Sequence, residues 1–342
     1  MHYSVYGRRH RPFDVCAVYG EKGSEALVGT MAYSGKTKTA SRTVRRSRFK
    51  KYLPFYLFIS PWLIVFLALG LIPLLWGLYL SFTNYDGFNF NSVQWIGMSN
   101  YVQVFRGGAM AALGRTILIT VINVPLGTAI GFMLAVLLNT KVKGVAIYRT
   151  IFYLPAVFPV VATGLMWSAI YADQGGMLNE FLSIFGLRPI NWLGYTWAPT
   201  ALILMLLWGS GGALLIYLAG LKGVPQSLYE SAAIDGATPA QRFFHVTVPL
   251  MTPVIFFNLV LGIIGSLQIL LQPIIISGGS LTTAPIMPIY LYMVDAWLQI
   301  FSLGRFSYGL AMLWVLFVIV LLLTLVVFAT SKYWVYYEAP GE

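Results

Sequence analysis

The residues best placed to do chemistry lie in one polar island, Glu230-Ser231-Ala232-Ala233-Ile234-Asp235-Gly236-Ala237, followed by Val246-Thr247-Val248-Pro249, with a long apolar run on either side. The chemistry on offer is recognition rather than catalysis. Glu230 and Asp235 present carboxylates suited to charge-assisted hydrogen bonds with an arginine or lysine of another chain. Ala232, Ala233 and Ala237 are small enough for a second surface to approach the backbone. Local signals divide the island into two short helices: Ser227 and Glu230 have the S-x-x-E form of a capping box, Gly236 supplies a helix stop, and Thr238, Pro239 and Gln241 repeat the start signal. Glu230 acting only as its own helix cap, and Gly236 only as a turn, is the simpler account of those two residues taken alone. Pro249 either belongs to the same pattern or merely starts the next apolar run.

Catalytic groupings are missing elsewhere. No His, Cys and carboxylate constellation falls near an end of an apolar run, so neither a membrane enzyme nor a metal site is expected. His245, the sole histidine beyond the N-terminal segment, is expected to face lipid headgroups. Cys16 is a lone cysteine and can form no intrachain disulfide. The stretch Gly29 to Thr37 imitates a phosphate-binding loop, but five residues separate Gly29 from Gly35 where the motif requires four, and no helix signal follows. If ATP is used, another subunit must bind it.

The island's surroundings explain what holds it in place. Of the 342 residues, 58% are hydrophobic and 10% charged, far from the usual soluble mixture of roughly 45–50% and 25%. A membrane-spanning helix needs about 20 apolar residues, and six segments qualify: Phe55 to Phe82, Thr116 to Asn139, Thr150 to Tyr171, Ala198 to Leu221, Leu250 to Ile276 and Ser307 to Ser331. Their periodicity is helical, without the ten-residue alternation of an outer-membrane barrel, so an all-α inner-membrane protein of six transmembrane helices is expected. Pro61, Pro73, Pro125, Pro155 and Pro159 fall within these segments and predict kinks or half-helices.

Basic residues orient the bundle. Twelve Lys and Arg flank one set of ends (Arg42 to Lys51, Lys141, Lys143, Arg149, Lys222, Arg242, Lys332), whereas the opposite connections hold only Arg106, Arg115, Arg188 and Arg305. This places both termini and the island in the cytoplasm. It also uses up much of the net charge of +11, so no nucleic-acid partner is needed. Residues 1–50 read as a basic, disordered cytoplasmic tail, residues 51–337 as the six-helix domain with the island at 225–249, and residues 338–342 as a short second tail. The outer connections, about 83–115, 172–197 and 277–306, are too short for large insertions. Trp95, Tyr101, Trp192, Tyr195 and Trp197 near their boundaries fit an interfacial aromatic belt.

The island resembles the EAA loop of binding-protein-dependent ABC importer permeases: E-A-A, three residues, G, nine residues, I-x-L-P. Every spacing holds, with Ser231, Val246 and Val248 in place of Ala, Ile and Leu. The sugar-type subgroup, which includes maltose and glycerol-phosphate permeases, is similar at further places. Leu154-Pro155 with Pro159 matches its L-P-x-x-x-P entry; Val224-Pro225 with Leu228-Tyr229-Glu230 matches its approach to the loop; Ser266-Leu267-Gln268, Ser277-Gly278-Gly279 and Gly304 to Ala311 match its later motifs. Leu271 replaces an aspartate that many relatives carry after S-L-Q, and Ser280 and Leu281 replace a third glycine and a proline. Coverage runs from about Lys51 to Tyr337.

The resemblance implies a type I ABC importer permease in a bacterial inner membrane. It implies partners as well: a second homologous permease, as a heterodimer; two cytoplasmic ATPase subunits, which would bind ATP and Mg; and an extracytoplasmic solute-binding protein. On the loop it assigns ATPase coupling to Glu230, Ala232, Ala233, Asp235, Gly236 and Ala237. The six segments carry no Asp, Glu, Lys or Arg in their bodies, which disfavours a proton or ion path and favours a neutral, hydroxyl-rich solute. Asn123, Asn258, Ser266, Gln268 and Gln272 are candidate cavity residues. Trp208 beside Gly209-Ser210-Gly211-Gly212 offers a flat face next to thin backbone, although the glycines serve equally well as a close helix contact. Trp208, Gly209 and the Gln268 neighbourhood fall where sugar permeases contact substrate. A stand-alone secondary transporter or channel for a neutral solute is the rival reading; the arginines Arg106, Arg188 and Arg305 leave an acidic oligosaccharide open.

Overall fold

The computed structural model describes residues 41–140 and 143–336. Cys16, the Gly29 to Thr37 stretch and the 338–342 tail lie outside them. The chain divides into two compact units, Met1–Ile64 and Val65–Glu342. In the first, helix α1 (Ser41–Val65) begins ten residues inside the segment expected to be a disordered tail. The second starts with a π-helical turn, Phe66–Leu71, and α2 (Ile72–Ser81), which has Pro73 at its second position. Pro73 lacks the N–H that Leu69 would otherwise receive, and a widened turn just before it accommodates the gap.

The remaining helices follow in order: α3 (Ser99–Arg106), α4 (Ala109–Leu138), α5 (Val145–Tyr153), α6 (Val160–Ile170), α7 (Met177–Ile184), α8 (Ala198–Trp208), α9 (Leu214–Gly223), α10 (Gln226–Ile234), α11 (Pro239–Arg242), α12 (Val248–Leu267), α13 (Leu271–Ile276), α14 (Tyr292–Phe301) and α15 (Phe306–Trp334). Among the described residues the sole strand-like pairing is the Thr83–Trp95 bridge. Five helical runs are long and apolar enough to span a bilayer: Tyr52–Ser81, Ala109–Leu138, Ala198–Gly223, Pro239–Leu267 and Phe306–Trp334. The sixth is a broken pair, Val145–Ala156 and Val160–Ile170, bent by 94°. Pro155 and Pro159 cause the break, since each removes a donor and Pro159 pushes Phe158 away from helical geometry. At Pro61 and Pro125 the helix continues through.

Two runs differ most from expectation, for identifiable reasons. The second run opens at Ala109 rather than Thr116, so Arg115 lies inside α4; its Nε donates to the Tyr290 carbonyl at 2.9 Å. The fifth run does not reach Ile276: it stops at Leu267 with Gln268 as C-cap, and it starts at Pro239, because the island's second helix fuses with it through the π-helical turn Phe243–Thr247.

The outer connection at 277–306 is not an exposed loop. Ile289, Leu291, Tyr292, Val294 and Ala296 are fully buried, and α14 packs against α15 and α4. Asp295, 5% exposed, accepts hydrogen bonds at Oδ1 from the Tyr290 hydroxyl (2.8 Å) and from Gln299 Nε2 (3.0 Å). Arg305 Nη1 in turn donates to Gln299 Oε1 at 3.2 Å. Burial, then the bond to Asp295, holds the Tyr290 phenol above its usual range, so it stays a donor. Asp295→Ala leaves two part-buried donors without this acceptor and is expected to cost about 1–2 kcal/mol, seen as a lower thermal midpoint of purified protein. Asp295→Asn, which keeps one acceptor, should lose less; equal midpoints for all three proteins would show the network to be inert.

Candidate functional site

At the island, α10 starts after Pro225, which occupies the N-cap position in extended geometry and forms no side-chain cap. Ser227 therefore sits within the helix, where its carbonyl accepts from Ser231 Oγ at 2.9 Å, and the expected Ser227–Glu230 capping box is not formed. Val224-Pro225 sets this register, since proline fixes φ and starts the helix one residue before serine can cap it. Glu230 is left exposed, and neither it nor Asp235 has an ion-pair partner among the described residues. The helix ends as expected at Gly236, at φ +77°. The Ala237 N–H bonds the Ala232 carbonyl (2.9 Å) and the Gly236 N–H bonds the Ala233 carbonyl (3.1 Å), the paired closure of a Schellman motif.

The second start signal forms in full. Gln241 N–H donates to Thr238 Oγ1 (3.3 Å), and Thr238 N–H donates to Gln241 Oε1 (2.7 Å). His245 Nδ1 lies 3.0 Å from the Gln241 carbonyl and the ring is exposed. Between the two helices runs a depression of about 360 Å³ lined by Ala232, Asp235, Gly236, Ala237, Gln241, Arg242, His245 and Val246. Four of the six expected coupling residues line it; Glu230 and Ala233 lie outside. The buried Arg242 Nε has no hydrogen-bond partner.

A second, open cavity of about 340 Å³ is lined by α4 (Asn123, Val124, Gly127, Thr128), the α8 end and following turn (Leu206, Gly209, Ser210, Ala213), Tyr217 of α9, and α12 (Asn258, Leu261, Gly262). Its size is that of a small-molecule site. Asn123 stands at the centre of α4, and Gly209 opens the 3₁₀ turn Gly209–Ala213 that interrupts the fourth span. The lining holds amides, hydroxyls and apolar carbon but no charge. Asn258 is 9% exposed and bonds the Val254 carbonyl at 2.9 Å. The fully buried Tyr217 hydroxyl lies within the influence of Thr128 but has no partner in hydrogen-bond geometry.

Of the five residues expected on the substrate path, only Gly209 lines this cavity, beside Asn123 and Asn258. Trp208 instead stacks on Phe158 (centroids 6.2 Å apart) and meets Trp167 edge-on (6.1 Å). Ser266 is buried, with its hydroxyl unpaired. Gln268 caps α12 and is exposed; Gln272 is on α13, which packs against α6. Sequence alone does not distinguish Thr128 and Tyr217: a tyrosine or threonine in an apolar run carries no signal until the helices it joins are known. The glycine patch divides by position. A Cβ on Gly211 would lie 1.8 Å from the Phe152 carbonyl oxygen and one on Gly212 3.2 Å from Ala156, whereas one on Gly209 meets nothing within 4 Å.

Comparison with known proteins fits this architecture. A family profile described as binding-protein-dependent transport system inner membrane component matches residues 127–334. The probable ABC transporter permease YesP of Bacillus subtilis is 40% identical over 307 residues, 88% of this chain and 96% of that one. The trehalose/maltose transport system permease MalF of Thermococcus litoralis is 30% identical over 284 residues, 81% of this chain and 93% of that one. The arabinooligosaccharides transport system permease AraP of Halalkalibacterium halodurans is 31% identical over 236 residues, covering 68% and 73%. For the fold alone, a chain of a bacterial ABC transporter involved in the import of the acidic polysaccharide alginate superposes with a TM-score of 0.74 at 23% identity, covering 84% of this chain and 98% of that one. A chain of the alginate transporter in complex with an alginate pentasaccharide-bound periplasmic protein gives 0.69 at 23% identity, covering 84% and 96%. With its helical runs, its island spacing and these matches, the chain belongs to the family of binding-protein-dependent transport system inner membrane components, as a permease subunit of an ABC transporter and not an enzyme.

Proposed function

We propose that the chain is one of two homologous permease subunits, paired as a heterodimer, of an ATP-driven importer in a bacterial cytoplasmic membrane. It translocates a carbohydrate, an oligosaccharide, handed over by an extracytoplasmic solute-binding protein, and works by alternating access. ATP and Mg are bound by two cytoplasmic ATPase subunits. The observation that carries this reading is the island: a helix pair joined by the Gly236 turn and the Thr238–Gln241 capping box, which presents exposed carboxylates at Glu230 and Asp235 and a buried, unpaired Arg242 Nε beside a depression. Exposed carboxylates of this kind are available to arginine or lysine side chains of a partner surface.

The choice of solute is supported by the uncharged cavity, whose amide and hydroxyl groups suit a polyol, and by relatives named for trehalose, maltose and arabinooligosaccharides. Arg106, Arg188 and Arg305 lie outside that cavity, which favours a neutral saccharide. The reading is tested by reconstituting the chain into vesicles with and without its ATPase and permease partners and measuring uptake of maltose, trehalose and arabinotriose. Uptake that needs ATP and the partners supports it; uptake by this chain alone would establish the stand-alone transporter instead.

The orientation is tested separately. In a Cys16→Ser background, a cysteine at Arg188 is expected to react with an impermeant maleimide added outside, and one at Arg242 only from inside. The opposite sidedness would overturn the cytoplasmic placement of the island.

A further inference from the structure

The cavity and the island are joined by a hydrogen bond, a π-helical turn and three packed rings, and we infer that this set carries movement of the coupling helix into the cavity wall. The inference rests on the ATPase-coupling reading. It begins at Tyr229 of α10, whose hydroxyl is 2.9 Å from Thr247 Oγ1. Thr247 is 6% exposed and lies in the π-helical turn Phe243–Thr247 at the root of α12. The Gly236 elbow is thus bridged: without this bond the elbow would absorb a displacement of α10, and with it the root of α12 is drawn along.

The turn itself is suited to move. Pro249 withholds the N–H that the His245 carbonyl would receive, and the next proline, Pro253, does the same for Pro249, whose carbonyl accepts from Thr252 Oγ1 at 2.6 Å instead. A π-helical turn followed by two donors' absence has a weaker ladder than the helix beyond it, and such turns recur at functional sites.

From the turn the path enters the core through rings. Phe243 stacks on Phe132 of α4 (centroids 6.0 Å, planes 27° apart), and Phe132 meets Tyr217 of α9 edge-on (5.6 Å, 60°). Phe132 and Tyr217 are 6% and 0% exposed, and Gly131 lets α4 lie close to the Gly209–Ala213 turn beside that ring, since a Cβ there would be 3.0 Å from the Ser210 carbonyl oxygen. Tyr217 then lines the cavity with its hydroxyl unpaired. The three rings therefore belong to the turn at the root of α12, to α4 and to α9, and all three of those helices wall the cavity. Close-packed interiors pass displacement on rather than absorbing it, and a packed chain between two sites is a means of coupling whose evidence must be a measured coupling.

The test uses the assembled transporter, with its second permease and ATPase subunits, in nanodiscs. The chain carries Cys16→Ser and Ser210→Cys, a near-isosteric reporter in the cavity wall, and labelling by a small thiol reagent is timed without nucleotide and after trapping with ATP and vanadate. Trapping should change the labelling rate about fivefold or more. Phe132→Leu is expected to bring that ratio close to one while ATP hydrolysis continues; Tyr217→Phe, which keeps the ring, should retain the full response. Phe256→Leu removes a buried ring of α12 that packs on Phe328 and Trp334 outside the path, and should retain it too. If Phe132→Leu does not assemble, Phe243→Leu breaks the same contact. An undiminished response in Phe132→Leu, an equal loss in Phe256→Leu, or no response in the unaltered chain would each overturn the inference. An unaltered chain that holds no ATPase would instead sink the coupling reading beneath it.

Discussion

Replacing Glu230 by lysine is expected to release the ATPase from this chain, or to leave it attached but unresponsive to solute, with the permease still inserted and folded. The side chain is exposed at the middle of α10 and has no ion-pair partner of its own. It spends nothing on capping, because the helix begins at Gln226 and Ser227 is already helical. Its removal therefore costs the isolated subunit little, as for most surface substitutions. At an interface a charge-assisted hydrogen bond contributes about 1.5–3 kcal/mol, and a reversed charge also adds repulsion. A loss of roughly tenfold to a hundredfold in ATPase association follows. Co-purification of the complex and solute-stimulated hydrolysis measure it, beside the thermal midpoint of the permease alone. Glu230→Gln, which keeps hydrogen bonding, should fall between. Normal association and stimulation in Glu230→Lys would remove Glu230 from the docking surface.

Much of this architecture is readable from sequence because the strongest signals are local or depend on run length. Six apolar runs announce themselves whatever they pack against, and Pro155 with Pro159 breaks the third by removing donors from its own backbone. Gly236 and the Thr238–Gln241 pair work within one helical turn, so each forms as its residue types require. Failures occur where a distant or competing contact decides. Ser227 loses its capping role to Pro225, two residues earlier. Asp295 lies in a connection whose sequence gives no sign of burial, yet hydrogen bonds from Tyr290 and Gln299 and the packing of α14 on two spans hold it inside. By hydropathy the fifth run extends to Ile276, because Leu267 and the residues beyond are equally apolar; only the backbone at Gln268 shows the helix ending. Trp208 and Gly209 are neighbours in sequence but face different surroundings, one an aromatic cluster and the other open space.

That separation within the glycine patch makes opposite outcomes two residues apart. Gly209 sits at φ −78° and ψ −2°, which any residue adopts, and a Cβ there meets nothing within 4 Å. Gly209→Phe therefore directs a ring toward the 340 Å³ cavity from a Cβ position that displaces nothing. Solute uptake should be lost, while the thermal midpoint of the subunit stays within about 2 °C and ATPase subunits still co-purify. At Gly211 even one methyl group arrives 1.8 Å from the Phe152 carbonyl oxygen, a backbone atom that cannot rotate away. Gly211→Ala must part the turn Gly209–Ala213 from the broken third span, and costs about 3 kcal/mol or more, the upper end for overpacking. Lower yield, a lower midpoint and reduced uptake should appear together. A bulky residue tolerated at 209 with full uptake would show that the cavity lies off the solute's path. Gly211→Ala at wild-type stability would show instead that the two spans separate readily and that the patch is not a packing contact.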